Sequence, residues 1–134
     1  MLQSYLEKHP IGKLYNAPFD VYLDETNVFQ PDLVFIAKQN YSILTDAGVE
    51  GAPDLVVEIL SSKTAHLDKK PKRRVYARSG VKEFWLVDPA VKLVHVYYLQ
   101  EDSEQPAAAF GERETLTSAR FPSLKINVSR IFKR

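Results

Sequence analysis

The stretch PDLVVEILSS, from Pro53 to Ser62, decides the fold predicted for this chain. Side chains of a β-strand point alternately to its two faces, so the stretch divides into two sets. One set is Leu55, Val57 and Ile59, and the other is Asp54, Val56, Glu58 and Leu60. One face is therefore wholly apolar and the other is apolar except for its two acids. This pattern predicts the central strand of a sheet.

Glu58 is the residue of this strand that calls for an explanation, because it lies between Val57 and Ile59. An ionised carboxylate in an apolar setting costs several kcal/mol unless it is paired or bound to a metal. Three alternatives follow from the residues alone. Glu58 could form an ion pair with a Lys or Arg, lie at a strand end open to water, or bind a metal ion.

The segments around the central strand predict the fold class. Pro31-Asp32 opens a second apolar run, LVFIA, and GVKEFWLVDP (Gly80 to Pro89) contains a third strand. Between the central and third strands, a helix is predicted from Asp68 as N-cap to Arg78, with Ser79-Gly80 as its end. A crossover helix predicts that the strands it joins are parallel. The prediction is an α/β (α+β) fold, a mixed β-sheet flanked by helices, in a single domain over residues 1–134.

Composition excludes several classes of protein. The chain has 134 residues and no Cys, which rules out disulfides, Cys-ligated zinc and thiol nucleophiles. It has no stretch fit for a signal peptide or a membrane span, so a cytoplasmic protein without membrane contact is predicted. It also lacks a Gly-rich phosphate-binding motif, so nucleotide-driven chemistry is not predicted.

The formal net charge is +1, so any attraction to nucleic acid must come from local groups of basic residues. One such group comprises Lys63, Lys69, Lys70, Lys72, Arg73, Arg74 and Arg78, and another comprises Lys125, Arg130, Lys133 and Arg134. A run of basic residues of this kind is more often an ordinary solvated helix face.

Three acids and a lysine form the candidate site. Asp32, Asp54 and Glu58 lie on two strands joined by the connection from Lys38 to Pro53, and strands joined in this way commonly pair. Converging carboxylates could then hold Mg²⁺ or Mn²⁺, which favour oxygen ligands. Lys72 could supply positive charge to a phosphodiester transition state. Alternatively, Asp68 and Lys72 form an ordinary surface pair at i and i+4.

The same residues carry a resemblance to a known family. PDLVVEILSS, the spacing of Asp68, Lys72 and Tyr76, GVKEFWLVDP and the C-terminal FPSLKINVSRIF are similar to the Uma2 family (DUF820) of restriction-endonuclease-like proteins. The resemblance covers roughly Ala17 to Phe132. It implies the PD-(D/E)XK nuclease fold, with a four-stranded mixed sheet. It also implies that Asp32 is the first acid of that motif and Glu58 the acid of its (D/E)XK part.

The chain departs from the family pattern in two ways. Leu60 stands where the motif has its lysine, and Lys72 from the helix is the natural substitute. Family members usually carry a longer N-terminal segment with a helix that covers the sheet, and this chain starts near the end of that helix, at Leu2 to Leu6. An N-terminally shortened domain is therefore expected. Because a missing helix exposes apolar surface, a homo-oligomer, most simply a dimer, is predicted.

These inferences predict a metal-dependent endonuclease that hydrolyses phosphodiester bonds of DNA. Asp32 and Glu58 are the predicted metal ligands, Asp54 the assisting acid and Lys72 the electrostatic catalyst. Asp32 and Glu58 are expected within ~6 Å of each other, and Asp54 about 13 Å of strand away from Glu58. Two alternatives stay open: a catalytically inactive member of the fold that binds nucleic acid or protein, and a structural oligomeric module.

Overall fold

The computed structural model describes residues 1–61 and 69–132. Its helices are α1 (Leu2–Lys8), a 3₁₀ segment (Lys38–Ile43), α2 (Lys70–Ser79) and α3 (Val128–Phe132). Its strands are β1 (Gly12–Asn16), β2 (Val21–Tyr22), β3 (Val28–Phe29), β4 (Leu33–Ala37), β5 (Leu44–Thr45), β6 (Gly48–Glu50), β7 (Leu55–Ile59), β8 (Glu83–Asp88), β9 (Leu93–Tyr98), β10 (Ala108–Gly111), β11 (Thr115–Ser118) and β12 (Phe121–Asn127). None of the helices in these ranges is long and apolar enough to cross a membrane.

The main sheet has six strands in the order β1-β4-β7-β8-β9-β10. β7 and β8 run parallel and every other pair in this sheet is antiparallel. This mixed sheet confirms the predicted fold class, and the parallel pair confirms the predicted crossover. The resemblance implied four strands, whereas β9 and β10 extend the sheet to six.

Two smaller sheets complete the architecture, and both differ from the sequence prediction. β3-β2-β6-β5 form one and β11-β12 the other. The sequence pattern of Val28 to Ala37 predicts one strand interrupted by Pro31, which must lie at an edge or a bulge. Instead, the chain leaves β3 before Pro31 and enters β4 in a different sheet. Pro31 has no N–H to donate, so it does not continue the strand. Phe121–Asn127 is a strand that the alternation hid, because Ser123 has a φ of 66° and puts Phe121 out of phase with Leu124 and Ile126.

The core lies on both faces of the main sheet, as the alternation in β7 predicts. Leu55 and Val57 belong to the cluster that also contains Trp85 and Phe121. Val56 belongs to the opposite cluster, which is built around Tyr76, Phe84 and further residues of β4 and β8. The first cluster is covered by α1 and β12, and the second contains the buried side of α2. β7 is therefore buried on both faces from Leu55 to Glu58, and only Ile59 at its end is half exposed. Its one acid, Glu58, needs a partner, as does Asp54 just before the strand.

Helix α2 fixes the position of the candidate site relative to the sheet. Pro71 lies in its first turn, and Gly80 ends it with a φ of 104°, the left-handed conformation that glycine adopts without strain. Arg73 and Tyr76 form its buried side. The predicted N-cap, Asp68, lies outside the described residues. The end at Ser79-Gly80 agrees with the sequence prediction.

Candidate active site

Asp32 and Glu58 lie next to each other on adjacent strands. β4 and β7 are antiparallel, with Leu33 opposite Val57, so the next step of this register sets Asp32 opposite Glu58. Residues directly opposite in such a pair have Cβ atoms about 4.5–5.5 Å apart. The Ile59 backbone N–H donates a hydrogen bond of 2.6 Å to the Asp32 carboxylate. The two acids therefore meet at one end of the sheet.

Glu58 is buried, and its Oε2 atom has two partners from α2. The Lys72 Nζ atom lies 2.8 Å from it, and the Tyr76 hydroxyl donates to it at 2.9 Å. The Lys72 side chain is 27% exposed. Because Tyr76 lies on the same side of the helix and is apolar, the sequence predicts that Lys72 is partly buried with its ammonium near Glu58, and the structure confirms this position. The ion pair that the sequence left as an alternative is present.

Tyr76 also belongs to the candidate site, through its hydroxyl. The sequence predicted only an apolar ring at this position, which turns its side of the helix toward the sheet. It is fully buried, and burial, followed by the charge of Glu58, raises the pKa of its hydroxyl well above the ordinary value. Asp32 contributes to the same increase, so its charge also lies near this hydroxyl. Tyr76 therefore stays protonated and donates to Glu58. Its position four residues after Lys72 was the available indication, because residues at i and i+4 share one side of a helix.

Phe29 is a second residue of the site that was missed. The Lys72 Nζ atom lies 5.1 Å from the centroid of its ring, a cation–π contact, and the Phe29 and Tyr76 rings meet edge to face at 5.2 Å. Phe29 belongs to β3, outside the main sheet, so nothing in the sequence pattern connects it to Glu58. It limits the directions in which the lysine can turn.

Asp54 is not brought together with the other two acids. It lies before the start of β7, four residues of strand and about 13 Å from Glu58. Its carboxylate accepts hydrogen bonds from the Ala37 N–H at 2.7 Å and from Asn40 Nδ2 at 2.9 Å. These contacts attach β7 to the end of β4 and to the 3₁₀ segment, a structural task. The predicted role of Asp54 as an assisting acid stays a prediction.

The donor set at Asp32 and Glu58 is suited to a hard divalent ion. Over residues 1–61 and 69–132, no group of three His, Asp or Glu side chains is placed to hold a metal. Mg²⁺ commonly takes only one or two carboxylates and completes its shell with water and substrate phosphate oxygens. A pair of carboxylates fits that mode of binding and does not fit a closed, all-protein metal cage.

Two residues of the first basic group serve the fold. Arg73 is buried, with its guanidinium 4.5 Å from the centroid of the Tyr97 ring, and its Nε donates to the Ser103 carbonyl at 2.8 Å. Arg74 forms an ion pair with Glu104. Both attach α2 to the segment after β9. Lys63, Lys133 and Arg134 lie outside the described residues.

Glu83 is the first residue of β8 and is buried. The sequence alone did not identify it as a candidate functional residue. Burial raises the pKa of its carboxyl, against smaller opposing effects of Ser118, Trp85 and Arg120. A raised pKa in the folded state means that the native protein binds more protons than the unfolded chain. The contribution of Glu83 to stability is therefore fully present below pH 4.5, the pKa of an ordinary Glu, and is lost as the pH rises through the raised value.

Glu83→Gln is expected to reduce this pH dependence, because an amide stays neutral. From about pH 5 to about pH 8, the urea midpoint of the parent should fall relative to that of the variant. Urea unfolding of both proteins at the two pH values measures the effect. A constant difference between the two midpoints would show that Glu83 does not titrate in this range.

Comparison with known proteins identifies the family. The model of the Uma2 family, described as "Putative restriction endonuclease", matches residues 1–129. The crystal structure of "a putative nuclease belonging to DUF820" from Anabaena variabilis ATCC 29413 matches with a TM-score of 0.75 at 19% sequence identity. The match covers 98% of this chain and 73% of that one, which shows a shared fold. No curated protein matches. With the family model spanning nearly all of its length, the chain belongs to the Uma2 family.

Proposed function

We propose that this protein is a metal-dependent endonuclease that hydrolyses phosphodiester bonds of DNA. The observation that carries the proposal is the contact of 2.8 Å between Lys72 Nζ and Glu58 Oε2, at the end of the sheet where Asp32 lies opposite Glu58. An acid pair on adjacent strands with one cation beside it is what phosphodiester hydrolysis requires. Membership of a family described as "Putative restriction endonuclease" supports the reaction class.

In this proposal Asp32 and Glu58 would hold Mg²⁺ or Mn²⁺, and the bound ion would supply Lewis-acid chemistry to phosphodiester hydrolysis. Lys72 places its ammonium where negative charge grows on the phosphoryl oxygens, and so stabilises the transition state. The Tyr76 hydroxyl holds the Glu58 carboxylate by its hydrogen bond at 2.9 Å. Phe29 keeps the Lys72 side chain over the site.

In this proposal Lys72 has the role of the strand lysine that the (D/E)XK motif has and this chain lacks. Leu60, at the motif position of that lysine, is buried and carries no charge. α2 crosses beside β7 and brings a lysine to Glu58 from the helix instead. An ammonium arriving from a different element can serve, because electrostatic stabilisation depends on where the charge lies relative to the phosphate.

The same ion pair favours a second candidate function. Lys72 and Tyr76 together satisfy Glu58 Oε2 without a metal, which is what a catalytically inactive member of the fold that binds nucleic acid would need. Such a protein binds DNA and does not cut it. The homo-oligomer predicted from the sequence is compatible with either function. Sedimentation velocity measures the oligomeric state.

Cleavage of supercoiled plasmid with Mn²⁺ tests the proposal. The parent is expected to nick the plasmid with Mn²⁺ and to stop when EDTA removes the metal. Lys72→Ala should be at least about 100-fold slower, the order of effect found when one stabilising group is lost from a transition state. Lys13→Ala is the matched control, because Lys13 also lies over an aromatic ring, that of Tyr41 at 4.9 Å, but contacts no candidate site residue.

Two results decide between the candidates. If parent and Lys72→Ala cut at equal rates with unchanged folding, Lys72 has no part in the reaction. If neither protein cuts, while the parent still binds duplex DNA at low salt, the inactive binding protein is the better account.

A further inference from the structure

The ammonium of Lys72 lies on a carboxylate that the proposed function assigns to a metal ion. Its Nζ atom is 2.8 Å from Oε2 of Glu58, and the Tyr76 hydroxyl donates to the same oxygen at 2.9 Å. A carboxylate oxygen has two lone pairs, so these two donors use both of them. While Lys72 stays in this position, Oε2 has no lone pair left for a divalent ion.

The second oxygen of Glu58 does not remove this difficulty. An ion on Oε1 would share one carboxylate with the ammonium of Lys72, and the two cations would repel each other. Glu58 is only 5% exposed, and charges interact more strongly in such surroundings than in bulk water. Lys72 and a divalent ion are therefore competing partners of Glu58.

The Phe29 ring provides a second position for the ammonium of Lys72. Nζ already lies 5.1 Å from the ring centroid, within the limit of about 6 Å for a cation–π contact. The lysine stem is flexible, and the side chain is 27% exposed, so the ammonium can move from Glu58 toward the ring and water while α2 stays packed. Glu58 and Phe29 are the two groups that Nζ contacts in the part of the chain that the structure describes.

Glu58 keeps a partner when Lys72 moves away. The Tyr76 ring is fully buried, which fixes its hydroxyl beside Oε2 whether or not the ammonium is there. α2 thus brings two different groups to one carboxylate, a fixed donor and a movable cation. The carboxylate itself does not have to turn.

We propose that Lys72 alternates between two positions, on Glu58 in the metal-free protein and over the Phe29 ring when Glu58 holds a divalent ion. Phe29 is then a positioning residue for metal binding, and it acts through Lys72. This inference rests on the proposed function, because it takes Asp32 and Glu58 as the metal ligands. It adds that Lys72, the residue proposed to speed cleavage, lowers the affinity for the metal.

Binding of Mn²⁺ to the whole chain in the absence of DNA tests the proposal. Electron paramagnetic resonance of free Mn²⁺ measures the affinity at low ionic strength. Lys72→Gln removes the competing charge and should bind Mn²⁺ at least about fivefold more tightly than the parent, the lower end of ordinary coupling between two binding events. A lysine that only supports the fold would not give this gain in affinity.

Phe29→Leu keeps an apolar side chain but removes the ring that receives the ammonium. It should bind Mn²⁺ at least about threefold more weakly than the parent, the scale of a modest cation–π contact. In the double variant with Lys72→Gln, the same change should have no effect on Mn²⁺ affinity, because no ammonium is left to move.

Lys13→Gln and Tyr41→Leu are the matched controls. Lys13 Nζ lies 4.9 Å from the centroid of the Tyr41 ring, the same kind of contact at a place without a candidate site residue. Both variants should bind Mn²⁺ like the parent. Thermal unfolding verifies the fold of every variant, and Lys72→Gln keeps the test valid even if Phe29→Leu unfolds.

Each outcome supports or overturns the proposal. If Lys72→Gln binds Mn²⁺ no more tightly than the parent, Lys72 does not compete with the ion and the proposal is wrong. If Phe29→Leu weakens binding equally with and without Lys72, the second position is wrong. The nuclease proposal survives both results as long as the parent cuts plasmid with Mn²⁺. Binding by Lys72→Gln alone would support the competition, and binding by neither protein would overturn the metal site and this proposal together.

Discussion

Glu58→Gln is expected to slow Mn²⁺-dependent cleavage of plasmid at least about 100-fold and to weaken Mn²⁺ binding at least about tenfold. The substitution removes the negative charge of the proposed metal ligand and keeps an oxygen that can accept from Tyr76. It also removes the ion pair with Lys72, whose side chain is exposed enough to be solvated alone. Cleavage rates and electron paramagnetic resonance of free Mn²⁺ measure the two effects.

Glu104→Gln is the control for this substitution. Glu104 also pairs with cations of α2, Arg73 and Arg74, but contacts no candidate site residue. It should cut like the parent. Unchanged Mn²⁺ affinity in Glu58→Gln would place the metal elsewhere and would contradict the proposal that Glu58 is a metal ligand.

Phe121→Ala is expected to destabilise the protein by about 3–5 kcal/mol, the largest effect on stability among the predictions. Phe121 is fully buried and meets Phe35, Tyr5 and Trp85 with ring centroids at 4.9, 5.9 and 6.3 Å. Its removal leaves a cavity between α1, β12 and the main sheet that rigid aromatic neighbours cannot fill.

Urea unfolding of parent and variant measures the loss for Phe121→Ala. Phe110→Ala serves for comparison, because Phe110 packs against the same cluster but is only partly buried. It should lose less than half as much. Equal losses would mean that the site around Phe121 collapses on truncation and that the aromatic cluster adds little.

The sequence predicts the centre of the fold well because local rules govern it. Alternation assigns the two faces of β7, and Gly80 ends α2 because a left-handed residue is needed there. Lys72 is placed at Glu58 because Tyr76, on the same side of the helix, is drawn into the core. In each case the spacing of residues along the chain is enough to predict where the side chain or the helix end lies.

The remainder depends on contacts that spacing does not encode. Asp54 shares a strand face with Glu58, yet alternation does not say which residues bind its carboxylate, and Asn40 and Ala37 hold it at the far end. Glu83 meets Ser118, 35 residues away in sequence, and nothing local connects the two. The sequence pattern does not predict β12 as a strand, because the positive φ of Ser123 interrupts the alternation of buried and exposed residues.

The hydrogen bond from the Tyr5 hydroxyl to the Pro122 carbonyl joins residues 117 apart in sequence, and this has a consequence for the order of folding. Contacts between residues so far apart in sequence form late, because closing the long loop between them costs conformational entropy before the contact stabilises the fold. β4, β7, α2 and β8, which carry Asp32, Glu58, Lys72 and Tyr76, are close together in sequence and can assemble before α1 and β12 dock. During synthesis on a ribosome, the candidate active site can therefore form before β12 has been made and has covered the other face of the sheet.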